Sequence, residues 1–157
     1  MKDPPTATVR LASLKDIPGL SHLSAQLGYA CPAEKIQQFL KNLIQDPDHA
    51  VFVAESDQGS LAGYVHVLIT KRLFLKPFAE LGGLVVDKIF QGKGIGKTLL
   101  AAAEVWAKDR DCREMRVRSN VLRERARPFY LGAGYQDHKK QTVYLKTIGF
   151  SSGDSDE

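Results

Sequence analysis

Gly82-Gly83-Leu84-Val85-Val86-Asp87-Lys88-Ile89-Phe90-Gln91-Gly92-Lys93-Gly94-Ile95-Gly96-Lys97-Thr98-Leu99-Leu100 is the stretch from which the rest of the chain can be read. Leu84, Val85 and Val86 form a continuous apolar run with β-branched content, which suits a strand covered on both faces. From Ile95 the pattern changes to Leu99, Leu100, Ala103 and Trp106, the spacing of one helix face. Between them, Gly92, Gly94 and Gly96 remove Cβ atoms where the backbone turns, so a ligand can approach the main chain. The first amides of a helix lack intrahelical partners and carry the positive end of its dipole. Strand, glycine turn and helix together read as an anion site, most often for phosphate.

Two familiar phosphate frames do not fit. A dinucleotide fingerprint needs two residues before its last glycine, and Gly94 and Gly96 are separated by one. A nucleotide-triphosphatase loop ending in Gly96-Lys97-Thr98 would need its first glycine where Gln91 stands. No apolar strand ending in aspartate follows to hold Mg²⁺.

The 157 residues suit one domain with a proper core. Apolar residues make up 43% and charged residues 25%, both ordinary for a globular chain. No apolar run is long enough for a membrane span, and Met1-Lys2-Asp3-Pro4-Pro5 lacks a signal-peptide apolar region, so no membrane association is expected. Cys31 and Cys112 show no metal-ligand spacing, and His22, His49, His66 and His138 form no close ligand pattern. No metal is expected, and a reduced, cytoplasmic compartment follows from the cysteine usage. The net charge of +4 agrees with an anionic ligand. Lys and Arg are scattered among acids without aromatic platforms, which argues against nucleic acid.

Along the chain, residues 8–12 alternate as a first strand. Ser13 or Asp16 opens a helix carrying Leu20, Leu23 and Leu27, which Gly28 ends. Pro32 starts a second helix with Ile36, Phe39, Leu40, Leu43 and Ile44 on one face. Residues 50–55 and 61–70 read as a hairpin around Asp57-Gln58-Gly59-Ser60. Residues 71–78 read as a loop, ahead of the central strand, turn and helix. Residues 113–119 form a fifth strand, with Arg116 and Arg118 on one face. Residues 124–131 form a helix, 141–146 a final strand, and 149–157 an acidic tail expected to be disordered. The fold class expected is a mixed α+β domain over residues 1–148. Its sheet is mostly antiparallel, six- to seven-stranded, with helices on both faces.

Gln91-Gly92-Lys93-Gly94-Ile95-Gly96 resembles the pyrophosphate loop of the GNAT acyl-CoA N-acyltransferases, Gln/Arg-x-x-Gly-x-Gly/Ala. Arg125-Ala126-Arg127-Pro128-Phe129-Tyr130-Leu131-Gly132-Ala133-Gly134-Tyr135 resembles that family's C-terminal segment, Ala-x-x-Phe/Leu-Tyr-x-x-x-Gly-Phe/Tyr. The resemblance covers residues 8–146 and extends to small bacterial members of aminoglycoside type. It implies a GNAT-like fold in which the fourth and fifth strands splay apart to admit acetyl-CoA as co-substrate. The pyrophosphate would lie on Gln91, Gly92, Lys93, Gly94, Ile95, Gly96 and Lys97. The pantetheine amides would pair with Leu84, Val85 and Val86, as in strand addition. A backbone amide there would polarise the thioester.

The resemblance also implies roles for side chains. Tyr130 matches the position that protonates the leaving thiolate. Glu80, before the central strand, matches a carboxylate that relays the amine proton, and His66 is a lesser candidate on the hairpin. Where many members carry an asparagine that bonds pantetheine, this chain has Arg123, and Asn120 is the substitute. The expected activity is acetyl transfer to a primary amine of a small molecule, peptide or protein, by direct attack in a ternary complex. The alternative on the same fold is a non-catalytic acyl-CoA sensor. The resemblance also allows a homodimer.

Overall fold

A computed structural model describes residues 7–119 and 123–149. The chain forms two compact units, Met1–Asn120 and Val121–Glu157. The first unit runs β1 (Ala7–Leu11), α1 (Ile17–Gln26), α2 (Ala33–Gln45), β2 (His49–Ser56), β3 (Leu61–Arg72), β4 (Leu75–Val86), α3 (Ile95–Lys108) and β5 (Met115–Val117). The second unit contains α4 (Ala126–Gly132).

The sheet order is β1-β2-β3-β4-β5. The first four strands are antiparallel neighbours, and β5 joins β4 in parallel. Side chains alternate across this sheet. Val65, Val67 and Ala79 point to the core made by Ile95, Leu99, Ala103 and Trp106 of α3. On the other face, Val53 packs with Leu20 of α1 and Ile36 and Leu40 of α2. Each such aliphatic side chain contributes about 1.5–3 kcal/mol when fully buried. The mixed, mostly antiparallel α+β sheet with helices on both faces is as expected from sequence.

Three expectations change. The loop expected over residues 71–78 is mostly strand: Arg72 pairs with Leu75 and Thr70 with Phe78, so β3 and β4 turn over at Leu73-Phe74. Pro77 falls in a register irregularity, where its missing N–H is tolerated. Glu80 consequently lies within β4 rather than ahead of it. The described residues contain five strands, not six or seven, because residues 141–146 form no ladder. An alternating pattern becomes a strand only when another strand meets its hydrogen bonds. The tail expected to be disordered lies outside the described residues from 150 onward. No helix among the described residues is long and apolar enough to cross a membrane.

The central feature is a bulge in β4. His66 of β3 pairs with Gly83, and Val67 pairs with Leu81, which leaves Gly82 as the extra residue. The parallel ladder with β5 spans only Ala79–Leu81 and stops at that point. Among the described residues, β4 has no strand partner on that edge from Gly82 to Val86.

Candidate active site

The turn after β4 is built before any ligand is considered. Asp87 is buried, its amide donates to the Ala62 carbonyl at 2.8 Å, and its carboxylate accepts from the Ile89 amide at 3.1 Å. Burial would raise this carboxyl, but the Ile89 amide, Gln26 and His22 outweigh it and hold the group below the usual range. Asp87 is therefore a turn acid that anchors the loop. Gln91 turns its side chain back, donating Nε2 to the Val86 carbonyl at 3.3 Å. That bond ties the loop to the strand end and occupies the Gln91 side chain.

Gly92 and Gly94 have φ of 80° and 81°, in the left-handed region that suits glycine. Among the described residues no atom would lie within 4 Å of a Cβ added at either, which leaves open space above them. Ile95 is buried and pins the start of α3, while Lys93 and Lys97 are exposed. Among the described residues, no amide from Gly92 to Lys97 donates to an internal acceptor. Free amides, the positive end of α3 and two lysines make a surface suited to a pyrophosphate. The loop predicted from sequence is thus brought together, with its main-chain donors available.

Leu84, Val85 and Val86 lie on the part of β4 left unpaired beyond the bulge. Leu84 and Val86 pack against the α3 core, and Val85 is buried on the opposite face. Their side chains are thereby fixed while one row of main-chain groups stays without a strand partner. Glu80 stands just before this edge. Its Oε2 accepts from the Thr70 hydroxyl at 2.9 Å, and Arg118 Nη2 lies 3.2 Å from Oε1, an ion pair without hydrogen-bond geometry. Arg116 lies over the Phe78 ring at 3.9 Å, so both arginines reach the same side of β4, as their spacing predicted.

Tyr130 lies in α4 of the second unit, edge-on to the rings of Phe129 and Tyr135. Burial pushes its phenol above the ordinary value, against a smaller opposing effect of Arg123, so the hydroxyl is neutral and able to donate. Asn120 lies outside the described residues. Among the described residues no three His, Cys, Asp or Glu side chains are grouped to hold a metal ion.

One cluster was missed from sequence. His49 Nδ1 and His66 Nε2 are 2.9 Å apart, with stacked rings, and His49 Nε2 lies 3.7 Å from Asp46 Oδ2. His66 opposes Val51, which puts His49 diagonally across the β2–β3 ladder, within reach of a long side chain. The strand periods alone could have suggested this pair once the hairpin register was known.

The acetyltransferase (GNAT) family model matches residues 19–135. The aminoglycoside N(6')-acetyltransferase type 1 of Stenotrophomonas maltophilia is 28% identical over 143 residues, 88% of this chain and 92% of that protein. Among solved structures, the aminoglycoside N-acetyltransferase AAC(6')-Iy in complex with CoA aligns with a TM-score of 0.81 at 21% identity, over 93% of this chain and 98% of that one. The glucosamine-6-phosphate N-acetyltransferase of Arabidopsis thaliana aligns with a TM-score of 0.79 at 22% identity, over 89% and 98% of the two chains.

Proposed function

The chain belongs to the acetyltransferase (GNAT) family, and from that membership we propose that it transfers the acetyl group of acetyl-CoA to a primary amine of a small molecule or peptide, acting as one domain over residues 1–148. The observation that carries this reading is the free edge of β4 running straight into a loop of unbonded amides at the start of α3. A CoA complex of a protein with this fold supports the choice of co-substrate. The aminoglycoside acetyltransferase relative supports a small-molecule amine acceptor.

In this reading the amides from Gly92 to Lys97 hold the pyrophosphate, with Lys93 and Lys97 screening its charge. Leu84, Val85 and Val86 bond the pantetheine arm through their main chain, and one of their amides stabilises the developing oxyanion. The neutral amine attacks the thioester carbon, a C–N bond forms, and the C–S bond breaks. Tyr130 gives its proton to the leaving thiolate. Glu80 draws the acceptor ammonium to the β4 edge and relays its proton through water. Asn120 is assigned a pantetheine contact by its place after β5.

Tyr130→Phe is expected to lower kcat by roughly tenfold or more while acetyl-CoA affinity holds. An unchanged kcat would remove the phenol from the mechanism. Glu80→Gln is expected to lower kcat about tenfold and raise KM for a cationic acceptor; unchanged constants would discard it. The reading as a whole is tested by thermal shift and by thiol release. Acetyl-CoA should stabilise the protein where ATP–Mg²⁺ does not, and a panel of aminoglycosides, small amines and peptide N-termini should release free CoA thiol.

A further inference from the structure

His66 sits where the β4 bulge opens. A Cβ on Gly82 would collide with His66 Nδ1, so the imidazole lies directly on the glycine backbone at the first residue beyond the β5 ladder. Gly82 is itself exposed. The other ring nitrogen of His66 meets His49 Nδ1 at 2.9 Å, and His49 Nε2 faces the Asp46 carboxylate at 3.7 Å. The hydrogen bond between the two rings allows two tautomer sets. The 3.7 Å to Asp46 is too long for a hydrogen bond, but a carboxylate accepts only, so its charge favours the set in which His49 carries its proton on Nε2. His49 Nδ1 then holds a lone pair and must accept from His66 Nε2–H. His66 Nδ1 is left as a lone pair against Gly82. No described group is hydrogen bonded to that atom.

We propose that His66 Nδ1 receives the proton lost by the acceptor amine, and that His49 and Asp46 conduct it to solvent. The proposal rests on the acetyl-transfer reading above for the position of the amine. The ammonium releases a proton, by way of the Glu80-linked water, to His66 Nδ1. His66 passes its Nε2 proton to His49 Nδ1, and His49 releases its own Nε2 proton beside Asp46. Each imidazole ends neutral in the other tautomer, and ring rotation or return exchange with water resets the pair. The Asp46 carboxylate stabilises the imidazolium formed on His49, so the charge rests at the outer end. His49 is 22% exposed, and the Asp46 side chain 48% exposed, which gives that end its contact with water.

Burial and the neighbouring His49 hold His66 down to about 4, so it is unprotonated at neutral pH and works by passing a proton on. Of the other titratable and charged groups on the adjoining elements, Tyr64 on β3 is raised by burial, Glu80 on β4 is paired with Arg118 just after β5, Glu55 on β2 with Arg10, Lys71 at the end of β3 with Asp48, and His22 of α1 with Asp87, while Arg72 on β3 and Lys76 on β4 are exposed.

Two measurements test this in the full-length protein. Nitrogen-15 NMR of the imidazoles should find His66 as the Nε2–H tautomer and should show its titration coupled to that of His49. A His66 Nδ1–H tautomer at neutral pH would overturn the proposal, whatever the activity assay gives. In thiol-release kinetics, His66→Gln should lower kcat about 100-fold with acetyl-CoA affinity intact. His49→Gly should lose less, and added imidazole should restore part of its rate, which a structural role would not allow. Wild-type kcat in His66→Gln would sink the relay alone, whereas a wild type with no transfer to any amine would sink the acetyl-transfer reading.

Discussion

Replacing Arg10 with methionine is expected to remove about 3–5 kcal/mol of folding stability, because the Asp16 carboxylate would be left buried without its cation. Asp16 has a side chain only 4% exposed, at the turn between β1 and α1. Arg10 holds it with two parallel bonds, Nη2 to Oδ1 at 2.7 Å and Nη1 to Oδ2 at 2.8 Å. Its Nε bonds Glu55 of β2 at 2.8 Å, so one guanidinium joins β1, β2 and the start of α1. A planar fork of this kind matches a carboxylate as a lysine cannot. Urea unfolding measures the loss, and Arg10→Met with Asp16→Leu should recover much of it by removing both charges. A loss below about 1 kcal/mol would mean that the pair behaves as an exposed one.

The same pair sets a pH dependence with a definite sign. Burial alone would raise the Asp16 carboxyl, but the Arg10 hydrogen bonds and the Ser13 amide outweigh it and hold it below the ordinary range. Its stabilisation is therefore complete above the unfolded carboxyl value of about 3.9, and is lost as pH falls through the lower folded value. Asp87, lowered in the same way by the Ile89 amide, Gln26 and His22, adds to that acid sensitivity.

Gly94→Val is expected to weaken acetyl-CoA binding about tenfold or more, since a left-handed L-residue costs about 1–2 kcal/mol and each 1.4 kcal/mol is tenfold. Gly94 has φ 81°, a conformation that a β-branched residue adopts only under strain. Among the described residues nothing lies within 4 Å of the new Cβ, so the cost starts with backbone geometry. The ligand-free loop can relax, which moves the loss into binding rather than folding. Calorimetric titration with acetyl-CoA reads it, and unchanged affinity would place the pyrophosphate elsewhere.

The fold was legible wherever periodicity was strong. Residues 95–108 kept one apolar face and became α3. Residues 61–70, read as the longer strand of a hairpin, became most of β3. Local punctuation misled at 71–78, where Lys71-Arg72 and Lys76-Pro77 read as a loop although cross-strand pairing carried β4 through them. Residues 141–146 show the reverse, an alternating pattern without a partner strand. The loop glycines were legible because the left-handed turns they serve are local. The ion pair of Glu80 with Arg118 and the contact of His49 with His66 were not, because both depend on strand register. Register is set by the whole sheet, and the Gly82 bulge shifts it by one residue.

That bulge makes the gap beside β4 an inserted residue rather than a missing one. Ala79 and Leu81 before it, and Leu84 and Val86 after it, all pack toward α3. Deleting Gly82 would leave every one of these orientations unchanged, because the extra residue alone breaks the alternation. It would, however, take out the bend that stops the β5 ladder at Leu81. A chain shortened by that one glycine should fold, lengthen its parallel ladder and resist denaturant at least as well, yet have no open edge on which to seat an acyl carrier. Under the proposed seating of acetyl-CoA on this edge, catalysis and the regularity of the sheet are traded against each other at a single residue.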